Sequence, residues 1–156
     1  MASEPVRQRI RDFQDKECGK GARSEDIENA ETQLGVRFPT SYRRYLEDFG
    51  WARFSHHELY GLGQDVPMHL DLVRNTAAER TQMRPLMPPA LVPIMNDGAG
   101  NHYCLDISQS TGDECPIVFW DHDLGESQKA EPVSPTFAVW IVDLLDRLEA
   151  DSGLSP

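Results

Sequence analysis

His56-His57-Glu58 has the residue types of a zinc site but not its spacing. Zinc proteases place two histidines four apart on one helix, as in HExxH. Neighbouring residues of a strand point to opposite faces, so His56 and His57 are not expected to share a metal. A second grouping, Asp121-His122-Asp123 with Glu126, flanks an imidazole with carboxylates. Such a set can bind a divalent cation or move protons. A calcium loop of the EF-hand kind needs Glu at its twelfth position, where this chain has Pro132. A solvated acidic loop is therefore expected. Asn96-Asp97-Gly98-Ala99-Gly100-Asn101 has the glycines of a phosphate cradle. Phosphate loops open a helix, whereas this run leads into an alternating strand, so a hairpin turn is expected. Cys104 lies within that strand and Cys115 precedes Pro116, neither at a helix start where a thiolate is favoured. His102 shares a strand face with Cys104 and reads as a structural neighbour. These patterns predict no catalytic residue, no metal ligand and no cofactor. The chain reads as a non-enzyme.

The groups hang on a definite order of elements. The spacing predicts a helix over 5–16, with Val6, Ile10 and Phe13 on one face. Residues 18–23 read as a loop. Ser24 suits an N-cap, Ile27, Ala30 and Leu34 form the next apolar face, and Gly35 stops that helix. Thr40 or Ser41 caps a third helix carrying Tyr42, Tyr45, Leu46 and Phe49. Short strands are expected over 51–54 and 57–60. A helix is expected over 68–83, with Leu70, Val73 and Ala77 on one face, then a proline-rich break over 84–89. Leu91–Met95 reads as a strand in which Pro93 implies an edge or a bulge. Strands over 102–107 and 117–120 follow, separated by a turn at 108–114, and then an acidic loop over 121–131. Ser134 caps a last helix with Phe137, Trp140, Ile141, Leu144 and Leu148 in its stripe. Residues 151–156 read as frayed. Helices, then clustered strands, then one helix indicate the α+β class: N-terminal helices and a C-terminal helix packed on a mainly antiparallel sheet. A single domain over 1–156 is expected.

The chain has 156 residues and a net charge of -11. That balance argues against generic nucleic-acid binding and against a basic membrane anchor. No apolar run approaches the ~20 residues of a membrane helix. Met1–Phe13 lacks the apolar core of a secretory signal, and three cysteines without CxxC spacing suit a reducing compartment, so a cytoplasmic location is expected. The charge is uneven. Residues 96–131 hold eight acids and one base, Lys129, whereas 1–60 are nearly neutral. The acidity is thus a local property, either a solvated face or a docking surface for a basic partner.

Over Ile27–Gly50 the chain resembles the opening motif of the SUKH superfamily, at Ile27, Glu31, Leu34, Gly35, Phe38, Pro39, Tyr42, Leu46 and Gly50. The resemblance continues in Glu58-Leu59-Tyr60-Gly61, in Val92-Pro93-Ile94 with the glycine turn, in 103–106 and 118–123, and in Ser134, Phe137 and Trp140. It covers about 27–145. Asn101 departs from it, because an acid often follows the glycine there, and 61–91 match no family pattern.

The superfamily includes fungal cell-wall regulators and bacterial immunity proteins. The resemblance therefore implies an immunity protein that occludes a cognate toxin domain, often one acting on nucleic acid. A regulatory scaffold is the alternative it also implies. An acidic patch filling a basic cleft supplies a mechanism. The contacts expected for it are Asp97, Asn101, Tyr103, Asp113, Glu114, Trp120, Asp121, His122, Asp123 and Glu126, with Trp51, Trp120 or Tyr103 as aromatic anchors. A metal-dependent hydrolase built on Asp97, Asp121, His122 and Asp123 is the remaining alternative.

Overall fold

The computed structural model describes residues 3–152. Helix α1 (Ser3–Asp12) leads to a short strand, β1 (Lys16–Cys18). Helices α2 (Ser24–Leu34) and α3 (Thr40–Asp48) follow, then β2 (Ala52–Phe54) and β3 (His57–Leu59). A 3-10 turn at Met68–Leu70 precedes α4 (Leu72–Thr81). Strands β4 (Leu91–Asn96), β5 (His102–Asp106), β6 (Ile117–Trp120) and β7 (Glu131–Ser134) come next, followed by α5 (Phe137–Asp151). The strands form one sheet in chain order, each antiparallel to the next. The α+β class expected from the sequence is the class observed.

Alternation along the strands gives the sheet two unlike faces. Val92, Ile94, Leu105 and Ile117 join a large core with Phe54, Tyr42, Leu46, Phe137, Trp140 and Ile141, all within 1 % of full burial. Helices α1, α3 and α5 cover this side. Tyr42, Tyr45 and Phe137 meet ring to ring at 5.1–5.8 Å. Leu91, Cys104, Val118 and Trp120 belong to a second, small core with Met87, against which Ala130 packs. Its cover comes from the loops 82–90 and 121–130, with α4 packed beside them on β4.

Hydrogen bonds brace those loops. Arg80 donates to the carbonyls of Leu34, Pro89 and Leu91, joining α2, the proline-rich loop and β4. The Leu86 amide donates to Glu126 Oε1 at 3.0 Å, tying one loop to the other. Gln128 spans its own loop, accepting from the Asp121 amide and donating to the Asp121 carbonyl.

Several local expectations need correction. The first helix ends at Asp12 rather than 16, and Lys16–Cys18 pairs with β2 because the chain turns at Phe13–Asp15. The helix expected over 68–83 is broken at Asp71, whose side chain accepts the Arg74 amide as an N-cap; the face it buries is Leu72 and Thr76, leaving Ala77 exposed. Pro93 lies in a central strand, beside a register shift between Pro93 and Met95, so it marks a bulge and not an edge. The end of the acidic loop is a strand, β7. Ser134 closes that strand, and Thr136 caps α5 by accepting from the Val139 amide. Asp151 is still helical, and 153–156 lie outside the described residues. His56 sits in the β2–β3 turn and not on a strand, so the His56 and His57 rings come within 4.5 Å instead of opposing each other.

Candidate functional site

The β4–β5 turn and the start of the β6–β7 loop lie at the same end of the sheet, because His102 pairs with Trp120. Gly98 and Gly100 adopt φ of 90° and 93°, a region that L side chains rarely enter. They let the chain fold back over Asp97. Asp97 Oδ1 accepts the Ala99 and Asn101 amides at 2.8 and 3.1 Å, and Oδ2 accepts Asn101 Nδ2 at 3.0 Å. Burial alone would raise the Asp97 carboxyl. The bonds from Asn101 and from the Ala99 amide outweigh it and hold the group below the usual carboxylate range.

Asn101 then reaches the next loop. Its Oδ1 accepts the His122 amide at 3.0 Å and faces His122 Nδ1 at 2.7 Å. His122 Nε2 is left 3.4 Å from Asp123 Oδ1. Asp121 Oδ1 accepts the Asp123 amide at 2.9 Å, fixing the bend. One ligand atom each from Asp121, His122 and Asp123 fall within 4.8 Å of one another. Asp97 is not in that group, since the turn amides and Asn101 occupy its oxygens. The four-residue hydrolase set is therefore not assembled.

Behind this end lies a buried polar cluster that sequence reading missed. His102 is 2 % exposed. Its Nε2 stands 3.2 Å from the Tyr60 hydroxyl, and its Nδ1, with no hydrogen-bond partner among the described residues, is 3.9 Å from Glu79 Oε1. Burial pushes His102 down to about 4 and Tyr60 up to about 12, and it raises Glu79. His102 is thus a neutral core residue at neutral pH. The three positions are far apart in sequence, and no spacing signal links them. Cys104 is fully buried, with its thiol 4.0 Å from Met87 Sδ and pushed well up by burial, which suits packing and not a nucleophile.

The ten residues expected to contact a partner do not form one patch. Asp97, Asn101, Asp121, His122 and Asp123 share the turn end. Asp113 and Glu114 belong to the β5–β6 connection at the opposite end. There Glu114 serves the fold: its carboxylate accepts the Ser41 amide at 2.9 Å and the Ser41 hydroxyl at 2.7 Å, capping α3, while the Asp113 carbonyl accepts the Thr40 amide. Glu126 is held by the Leu86 amide. Asp113 is exposed. Trp120 is 1 % exposed and Trp51 7 %, so neither can anchor a partner. Both fill gaps in the two cores, and Trp51 Nε1 donates to Asp65 at 3.2 Å. Tyr103 is half-buried on the other face from Trp120, beside Phe119 and Trp140.

The frame of helices on a seven-stranded meander is matched along its length. A family model described as SUKH_5, SMI1-KNR4 cell-wall, matches residues 6–146. The chain belongs to the SUKH family. The match reaches back beyond the Ile27 motif to take in most of α1, and it crosses 61–91, where no family pattern was legible. In this SUKH chain the motif residues are mostly structural. Leu34, Phe38, Tyr42 and Leu46 are core, and Glu31 joins α2 to α3 by accepting the Phe38 amide at 2.7 Å and pairing with Arg43. Among the described residues, no helix is long and apolar enough to cross a membrane.

Proposed function

We propose that this SUKH protein is a non-catalytic binding protein of the immunity type. It covers a basic surface on a cognate bacterial toxin domain with the turn end of its sheet. The observation that carries this reading is the Asp97–Asn101–His122 network. It fixes two loops to each other and presents Asp121 and Asp123, the latter carboxylate 82 % exposed, on a braced frame. A surface ordered before it meets its partner loses less entropy on binding. Complementary charge speeds encounter and selects the partner, and Lys129 is the one base of residues 96–131. A toxin domain encoded beside this gene would be the partner to test. Co-expression is expected to rescue growth, and Asp121→Lys with Asp123→Lys is expected to abolish rescue at a stability cost of only about 1 kcal/mol, from the lost bond between Asp121 and the Asp123 amide. Rescue that survives both reversals would overturn the docking surface.

A regulatory scaffold is the second reading, favoured by the cell-wall description of the matching family model. It predicts no adjacent toxin gene and several intracellular partners that compete for the chain.

A further inference from the structure

A cleft lies on the helix-covered side, between β7 and α5. It encloses about 360 Å³ and is lined by Tyr103, Val133, Trp140, Asp143 and Asp146, among others. Its position continues the turn end of the sheet. Tyr103 pairs with Phe119 and Phe119 with Glu131 across three strands, one residue step from the row of His102 and Trp120. Its floor is aromatic: the Tyr103 ring lies 5.2 Å from Phe119 and 5.7 Å from Trp140. Its rim is partly apolar and open. Val133 is 43 % exposed, one of the five large hydrophobics exposed among the described residues.

The charges of the cleft are unevenly used. Asp146 accepts from Arg9 at 2.9 Å, and Arg147 Nε is turned toward the Asp143 carbonyl of its own helix. The Asp143 carboxylate is exposed and has no cation against it among the described residues. Trp140 brings an indole N–H that is buried and lacks an acceptor among the described residues. An aromatic floor, a free carboxylate and an apolar lip are what an arginine side chain fits. Its guanidinium stacks on rings, its stem covers apolar surface, and its charge meets a carboxylate.

We propose that this cleft seats an arginine of the partner's basic surface, with the guanidinium against the Tyr103 ring and the Asp143 carboxylate. The proposal rests on the binding reading above and supplies the anchor that buried Trp51 and Trp120 cannot. Such part-buried aromatic sites concentrate binding energy.

The probe is a blocked glycine–arginine pentapeptide, titrated at low salt into the full chain and followed by ¹H–¹⁵N spectra. The largest shifts are expected at the Trp140 indole and at the amides of Tyr103 and Val133. Asp143→Arg is expected to weaken binding about tenfold. Tyr103→Leu keeps an apolar contact with Trp140 and is expected to cost roughly three- to fivefold by removing the ring. Shifts centred on Asp121–Asp123, shifts spread evenly over the acidic surface, or an affinity unchanged by Asp143→Arg would each overturn the proposal. Co-expression separates it from the parent reading. Toxin rescue that survives Asp143→Arg overturns the cleft and leaves the function standing. Peptide seated in the cleft without rescue of any toxin does the reverse.

Discussion

The two faces of the sheet solve the same burial problem with different materials. One is covered by α1, α3 and α5, whose apolar stripes close over Tyr42, Phe137 and Trp140. The other has a small cluster of five buried hydrophobics, Met87, Leu91, Cys104, Val118 and Trp120, with α4 beside it and two loops as its roof. Helices bring their own hydrogen bonds, whereas a loop roof must find partners residue by residue. Arg80, Glu126 and Gln128 supply them here. The difference teaches that the acidic stretch is not simply solvated surface. Much of it is spent inside the molecule, on the Asp97 turn, on the α3 cap by Glu114 and on the Leu86 tether by Glu126. What remains for a partner is Asp121, Asp123 and Glu131, with Asp113 at the far end.

The contrast can be broken by experiment. Phe137→Ala, on the helical face, is expected to cost about 3–5 kcal/mol in denaturant unfolding. A loss below ~1 kcal/mol would show that this face is not the main core. Met87→Ala, under the loop roof, is expected to cost about 2–3 kcal/mol. Its signature is local: hydrogen exchange should rise across 82–90 and 121–130 and stay unchanged in α5. Equal acceleration in α5 would erase the distinction between the faces. Asn101→Ala is expected to cost roughly 1–2 kcal/mol, because it removes the bond to Asp97 and the acceptor of His122. Faster exchange at both the Ala99 and His122 amides would confirm that one side chain couples the two loops.

The last effect is a slope with pH. His102 has its proton affinity lowered by burial to about 4 from 6.5, so the unfolded chain takes up a proton that the fold excludes. Stability is therefore full above pH 6.5 and falls as pH drops toward 4, by at most about 1.4 kcal/mol per pH unit. Glu79, Tyr60, Asn96, Asp97 and His122 are the polar groups around it. His102→Gln is expected to flatten that window, as read from melting temperatures between pH 7 and 4.5. An unchanged slope would place the titration elsewhere.

The helical face was legible because its information is periodic. Ile27, Ala30 and Leu34, or Phe137, Trp140, Ile141 and Leu144, repeat at the helical period and need no knowledge of what they touch. The loop face was not, because nothing repeats in it. Met87 sits among prolines, and Trp120 runs straight into Asp121-His122-Asp123, so its burial depends on a roof that sequence alone does not show. Strand β7 was missed for a related reason: Glu131-Pro132-Val133-Ser134 has the composition of a loop and becomes a strand only by pairing with β6. For the site, the Asn96–Asn101 turn was readable from its glycines. The role of Asn101 in reaching His122 was not, being a contact across two connections. Glu114 misled for the same reason, since its partner Ser41 lies 73 residues earlier.

That last contact bears on how the chain comes into being. Helix α3 has Pro39 at its N-cap position with no side-chain cap hydrogen bond of its own, and its first amides wait for Asp113 and Glu114. At ordinary rates of synthesis those residues are made about 4–15 s after Ser41. During translation α3 is therefore a helix without a finished start, and the β5–β6 connection completes it when it arrives. A nascent chain halted before residue 113 would carry the SUKH opening motif and lack the lock that holds its third helix.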